Sequence, residues 1–107
     1  MKIQTDTQQF FFKHGNEIIA INLADIFFFE RMHRKSIIHT PNRTFEVNDS
    51  LIALEKGLND RFFRSHRSYI INIDRIEKII SWKAKSYSII LNSRRKIIAT
   101  HKKITDE

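Results

Sequence analysis

Between Arg61 and Asn72 the chain gathers Arg61, Arg64, Arg67, His66, Ser65, Ser68 and Asn72 among three aromatic residues, Phe62, Phe63 and Tyr69. Donors at this density suit phosphate oxygens and base edges, where the guanidinium fork is the usual bidentate reader of guanine. Phe62 and Phe63 before the donors, and Tyr69, Ile70 and Ile71 after them, can anchor both ends in a core. Arg64, Ser65, His66, Arg67 and Ser68 would then be held up rather than left to wander. The plainer alternative is a sheet edge carrying solvated arginines.

Catalysis finds little footing, and an enzyme is not expected. Five histidines are present, but no pair has the spacing of a helical metal motif and no cysteine completes a zinc site. Asp25 and Glu30 do not form a paired-carboxylate signature. Ser65, His66 and Ser68 are neighbours in sequence, yet adjacent side chains on a strand point to opposite faces, so they make a poor triad. With only Gly15 and Gly57 there is no glycine-rich phosphate loop. No cofactor or metal is expected.

Net charge is +7, and its distribution says more than its size. Residues 1–53 hold six basic and six acidic side chains, whereas residues 54–107 hold thirteen basic and six acidic and so carry the whole excess. Such asymmetry argues for a side that faces a polyanion. The basic residues also recur at connections: Arg31 to Lys35, Arg64 to Arg67, Lys83 with Lys85, Arg94 to Lys96, and His101 to Lys103. Several hairpin ends on one side of a β domain would make a broad positive surface. An RNA-binding sheet would instead need exposed stacking aromatics; here most aromatics fall in apolar strand runs.

The positioning elements follow from the apolar pattern. Phe10, Phe11 and Phe12, then Ile18 to Ile21, read as strands around a Gly15–Asn16 turn. Ile26 to Glu30 reads as a strand buried on more than one side, or twisted between layers. Ser36 to Thr40 pairs with it in a hairpin whose tip is basic, and Thr44 to Val47 alternates as a half-buried strand does. Asn48, Asp49 and Ser50 offer helix caps. Leu51, Leu54 and Leu58 place one apolar face on a helix of two to three turns, read as a lid on the core. Asn72 to Arg75 is irregular, with Asn72 stabilising a turn. Strands at 76–82, 86–91 and 94–100 complete a meander.

The class is mainly β: a compact antiparallel domain of short strands and hairpins with one short helix and no internal repeat. Residues 1–9 are a leader, 10–104 a single domain, and 105–107 a tail. The absence of cysteine removes disulfides and is compatible with a reducing cytoplasm. No run approaches the roughly 20 apolar residues of a membrane span, and Met1 to Gln9 is too polar for a signal peptide.

The run Phe62, Phe63, Arg64, Ser65, His66, Arg67, Ser68, Tyr69, Ile70, Ile71, Asn72 resembles the signature segment of the LytTR DNA-binding domain found in bacterial response regulators. Ile26 to Glu30 before a basic loop, the Leu51/Leu54/Leu58 helix and Ile76 to Ile79 follow in the family's order, so the resemblance covers about Phe10 to Ile104. It implies sequence-specific binding of double-stranded promoter DNA by loops in successive major grooves, commonly by two copies on direct repeats. The implied contact loops are Met32 with His33, Arg34 and Lys35; His66 and Arg67, with Arg64 and Ser68 as supports or phosphate contacts; and His101 with Lys102. Arg31, Lys83, Lys85 and Lys103 are candidate phosphate contacts.

Two departures stand out. The first loop is short, which leaves open which of His33, Arg34 and Lys35 reads a base. Thr100, His101 and Lys102 stand where many members carry a serine–arginine pair, which keeps donors but not a guanidinium fork. A receiver domain usually precedes this module, so the chain reads as a standalone regulator or an excised C-terminal domain. The alternatives kept beside this reading are a β-rich RNA-binding module and a basic protein-interaction domain.

Overall fold

Gly15 adopts a φ of 66°, which glycine reaches without steric cost. With Asn16 it turns β1 (Gln9–His14) back into β2 (Glu17–Asn22). The computed structural model describes residues 8–83, 86–92 and 96–100. β2 runs into a 3₁₀ turn at Leu23–Asp25, followed by β3 (Phe28–Met32), β4 (Lys35–His39) and β5 (Thr44–Val47). The helix α1 (Leu51–Glu55) leads to β6 (Phe62–His66) and β7 (Tyr69–Asn72). A second 3₁₀ turn at Ile73–Arg75 then feeds β8 (Ile76–Lys83), β9 (Ser86–Leu91) and β10 (Lys96–Thr100).

These strands pair antiparallel into three sheets: β1-β2, β5-β4-β3-β7-β6 and β10-β9-β8. The five-stranded sheet is the middle layer. Its central strands β3 and β7 pair Phe28 with Ile71 and Phe29 with Ile70. Because side chains alternate across a strand, Phe29 and Ile70 enter a core shared with Phe10 and Phe12 of β1, Phe45 of β5, and Leu51 and Leu54 of α1. Phe28 and Ile71 face the other way, onto Ile89 and Leu91 of β9 and the neighbouring Phe27. The run of phenylalanines thus lies between two layers, as its uninterrupted apolar character indicates.

The helix is shorter than its leucine spacing implies. Ser50 caps it, its Oγ accepting from the Ala53 N–H at 3.1 Å, but it ends at Glu55 after five residues. The next turns close more tightly, with Gly57 N–H donating to the Leu54 carbonyl and Leu58 N–H to that of Glu55. Gly57 is packed against Phe10: a Cβ there would lie 3.0 Å from that ring. Leu58 reaches the edge of the core after these tighter turns and not on a continued helix.

Two connections repeat one local device. Asn22 and Asn72 each end a strand, cap a three-residue 3₁₀ turn by accepting from the N–H two residues on, and are followed by an isoleucine that donates back to the first residue of the turn. This is a shared capping motif and not an internal repeat. Ile21, Asn22 and Ile26 correspond to Ile71, Asn72 and Ile76, a signal too brief to stand out unaided. The two turns are joined by Arg75, whose guanidinium donates twice to the Ala24 carbonyl and lies 4.9 Å from the centre of the Phe27 ring.

Asn72 is fully enclosed, and its Nδ2 also donates to the Ile26 carbonyl at 2.9 Å. Asn72→Ala leaves buried polar groups unpaired and should cost about 1–3 kcal/mol, read as a lower urea midpoint. The exposed Asn22→Ala should cost less, and equal shifts would contradict this difference. At the surface, Arg61 Nη2 meets Asp74 Oδ1 at 2.5 Å. That hydrogen bond holds the Asp74 carboxyl below its usual 3.8 and raises Arg61. A depressed carboxylate pKa contributes stability above the unfolded value and loses it as pH falls through the folded one. Asp74→Asn should therefore flatten the fall in Tm below about pH 4, modestly because exposed pairs are screened. An unchanged acid limb would contradict it.

Candidate nucleic-acid interface

The antiparallel register decides which loops share an end of the five-stranded sheet. Met32 at the end of β3 pairs with Lys35 at the start of β4, and Ser36 of β4 pairs with Val47 at the end of β5. Glu30 of β3 pairs with Tyr69 at the start of β7, and Tyr69 pairs with His66 at the end of β6. The His33–Arg34 turn, the Arg67–Ser68 turn and residues 48–50 therefore lie at one pole. The Pro41 to Arg43 turn and both 3₁₀ turns lie at the other.

At the first tip His33, Arg34 and Lys35 are all exposed. His33 has a φ of 56°, a left-handed conformation found at one or both central residues of tight hairpin turns, and one that histidine occupies more readily than most side chains. The second tip is built differently. Neither Arg67 nor Ser68 has a positive φ, so this turn is not of the mirror-image kind that matches strand twist. The register also slips by one residue between Phe63 and His66, marking a bulge. Phe62 joins the core on the α1 side and Phe63 the opposite one, while Ser65 is fully buried in the bulge with its Oγ unpaired.

Side chains close this second turn. Ser68 N–H donates to His66 Nδ1 at 3.1 Å. Arg64 donates from Nε to the His66 carbonyl at 3.2 Å and from Nη2 to the Arg67 carbonyl at 2.7 Å. With Nδ1 accepting, the neutral imidazole carries its proton on Nε2, so the free nitrogen of His66 is a donor. The ring is half-buried, with its centre 5.8 Å from that of Tyr69. Arg67 projects from the tip, exposed.

The structure separates the basic residues by exposure and by partner. His33, Arg34, Lys35 and Arg67 sit exposed at the pole, with His66 beside them. Arg31 is half-buried, its Nη1 donating to Ser36 Oγ and to the Asp49 carbonyl, both at 2.8 Å, so it ties the first hairpin to the loop before α1. Arg61 stands at the opposite pole, just before β6, where it pairs with Asp74. Ser68 contributes its backbone, its carbonyl accepting from Arg31 N–H at 2.8 Å. Lys83 pairs with Ser86, which also pairs with Thr100, so Lys83 and the chain leaving β10 share one end of the three-stranded sheet. β10 in turn lies against β6. Lys85, His101, Lys102 and Lys103 fall outside the described residues.

Glu55 is a participant that the sequence did not single out: its carboxylate lies 3.8 Å from Arg64 Nη1. Nothing in the helix pattern marks it, because the pairing depends on where β6 passes α1. Among the described residues no group of histidine and carboxylate side chains could hold a metal ion, and no helix is long and apolar enough to cross a membrane.

Comparison with known proteins agrees with this architecture. A solved LytTr DNA-binding domain from Bacillus cereus superposes with a TM-score of 0.79, covering 92% of this chain and 91% of that one at 19% identity, a likeness of fold. The Bacillus cereus sensory transduction protein LytT is 33% identical over 81 residues, which are 75% of this chain and 33% of the relative. Accessory gene regulator A of Staphylococcus aureus is 36% identical over 95 residues, 78% of this chain and 39% of the relative. The chain thus spans about a third of the length of these relatives. The family model described as the LytTr DNA-binding domain matches residues 16–106, and the chain belongs to that family.

Proposed function

We propose that the domain binds duplex DNA sequence-specifically, in the service of transcription regulation, through the pole that carries the His33–Arg34 and Arg67–Ser68 tips. The observation that carries this reading is the convergence of two basic hairpin tips at one end of one sheet. Arg67 stands free at the second tip, beside a His66 ring whose available nitrogen is a donor. Donors of this kind match guanine N7 and O6 or thymine O4 in the major groove. Lys35 and Arg34 suit phosphates, where charge matters more than geometry.

Strand spacing constrains how the grooves are used. The β3–β4 and β7–β6 hairpins are neighbours, so their midlines are two strand spacings apart, about 10 Å. That fits within one major groove, about 12 Å wide, and falls far short of the roughly 34 Å between successive turns of the duplex. The two tips therefore share one groove or straddle its rim, and a second groove needs the chain beyond Thr100, where His101 and Lys102 stand. Two copies on adjacent repeats would extend the contact along the duplex. In a parent protein of the relatives' length, the remaining two thirds would supply a receiver domain and signal input.

Duplex selection from a random pool, followed by footprinting, tests the reading, and an enriched, protected site is expected. The absence of one, or tighter binding to RNA than to any duplex, would overturn it. On the selected site Arg67→Ala should cost about 1–3 kcal/mol, as a lost base contact does, with little change on random duplex. Equal losses on both would make Arg67 a phosphate contact. Lys35→Ala should weaken both duplexes alike and reduce the salt slope by about 0.9; a loss confined to the selected site would make Lys35 a reader.

A further inference from the structure

We propose that Arg64 is a positioning residue for DNA reading, a clamp that shapes the Arg67–Ser68 turn, and that Glu55 of α1 holds it in place. The turn needs such a clamp. Its central residues lack the left-handed conformation that would close a two-residue hairpin, and the bulge in β6 removes regular pairing just before it. Two carbonyls, those of His66 and Arg67, are both taken by the one guanidinium. Their orientation sets how the two side chains that face DNA leave the backbone.

The planar fork of arginine spans two acceptors in fixed geometry, which a lysine ammonium cannot reproduce. Three of its nitrogens are engaged: Nε and Nη2 with the turn, and Nη1 near Glu55 at 3.8 Å. The side chain is three-quarters covered. A phosphate contact would require the guanidinium to leave these partners and to sit beside a carboxylate that repels the same phosphate. The arrangement is that of a residue turned inward, in the middle of a segment whose composition alone reads as outward-facing donors.

The inference rests on the DNA-binding reading above, and its test separates the two. If no duplex is selected, the reading itself fails; if one is selected, Arg64→Lys discriminates. A clamp predicts that Arg64→Lys keeps its affinity and salt slope on random duplex but loses at least tenfold on the selected site. In a His66→Ala/Arg67→Ala background the same change should have no further effect. A phosphate contact predicts near-full retention on both duplexes, because lysine preserves the charge, and that result overturns the proposal. So does an undiminished loss in the double-variant background.

Should Arg64→Lys not fold, Glu55→Gln at its exposed helix position gives a second reading. The clamp predicts a smaller ratio of selected-site to random-duplex affinity. A ratio that is unchanged or raised, with both affinities strengthened by the lost negative charge, overturns it.

Discussion

The structure depends on one strand pair having to satisfy two cores at once. β3 and β7 sit side by side in the middle of the five-stranded sheet and are apolar on both faces where they pair. Phe29 and Ile70 close the layer that includes β1 and α1, while Phe28 and Ile71 close the layer formed by β9. A slip of one residue would exchange the two sets of side chains, so the register is strongly specified. That same register places the His33–Arg34 turn beside the Arg67–Ser68 turn. The proposed reading surface is a consequence of core packing and not a separate invention.

Once two tips are fixed at one pole, the physical problem moves to the backbone there. A turn whose residues avoid positive φ must find partners for its carbonyls and N–H groups by other means. Arg64, His66 and Ser68 meet this need together, and Arg31 does similar work between the first hairpin and the loop before α1. Arginine therefore serves in two senses in this domain. Some guanidiniums are bound internally, as those of Arg31 and Arg64 are; Arg34 and Arg67 extend exposed from the tips, where the proposed reading has them face DNA. At the opposite pole Arg75 and Arg61 do internal work too, joining the two 3₁₀ turns and tying β6 to the second of them.

Much of this was legible in the residues. The strands show because their apolar runs are short and bounded by Gly15, Asn16, Pro41 and Asn42, and the burial of β3 on both faces follows from three consecutive phenylalanines. Asn72 reads correctly as a turn residue. The helix does not read as well: leucines at helical spacing indicate a face, but the helix ends at Glu55 and the chain reaches Leu58 through tighter turns. Donors are harder still. Arg31, Arg64 and Arg67 have the same chemistry in sequence; the carbonyls of the second turn, Glu55 of α1, and Ser36 with the Asp49 carbonyl separate bound from free. The Asn22 and Asn72 caps are alike in geometry but share too few residues for pattern to reveal them.

In the proposed complex the pole bearing the two hairpin tips meets the major groove. The most direct test is methylation interference on a selected duplex, which compares guanine N7 in the major groove with adenine N3 in the minor groove. Methyl groups at guanine N7 within the protected site should block binding, and Arg67→Ala should remove the block at one or two of those positions. Interference confined to adenine N3, or a pattern that Arg67→Ala leaves unchanged, would contradict it.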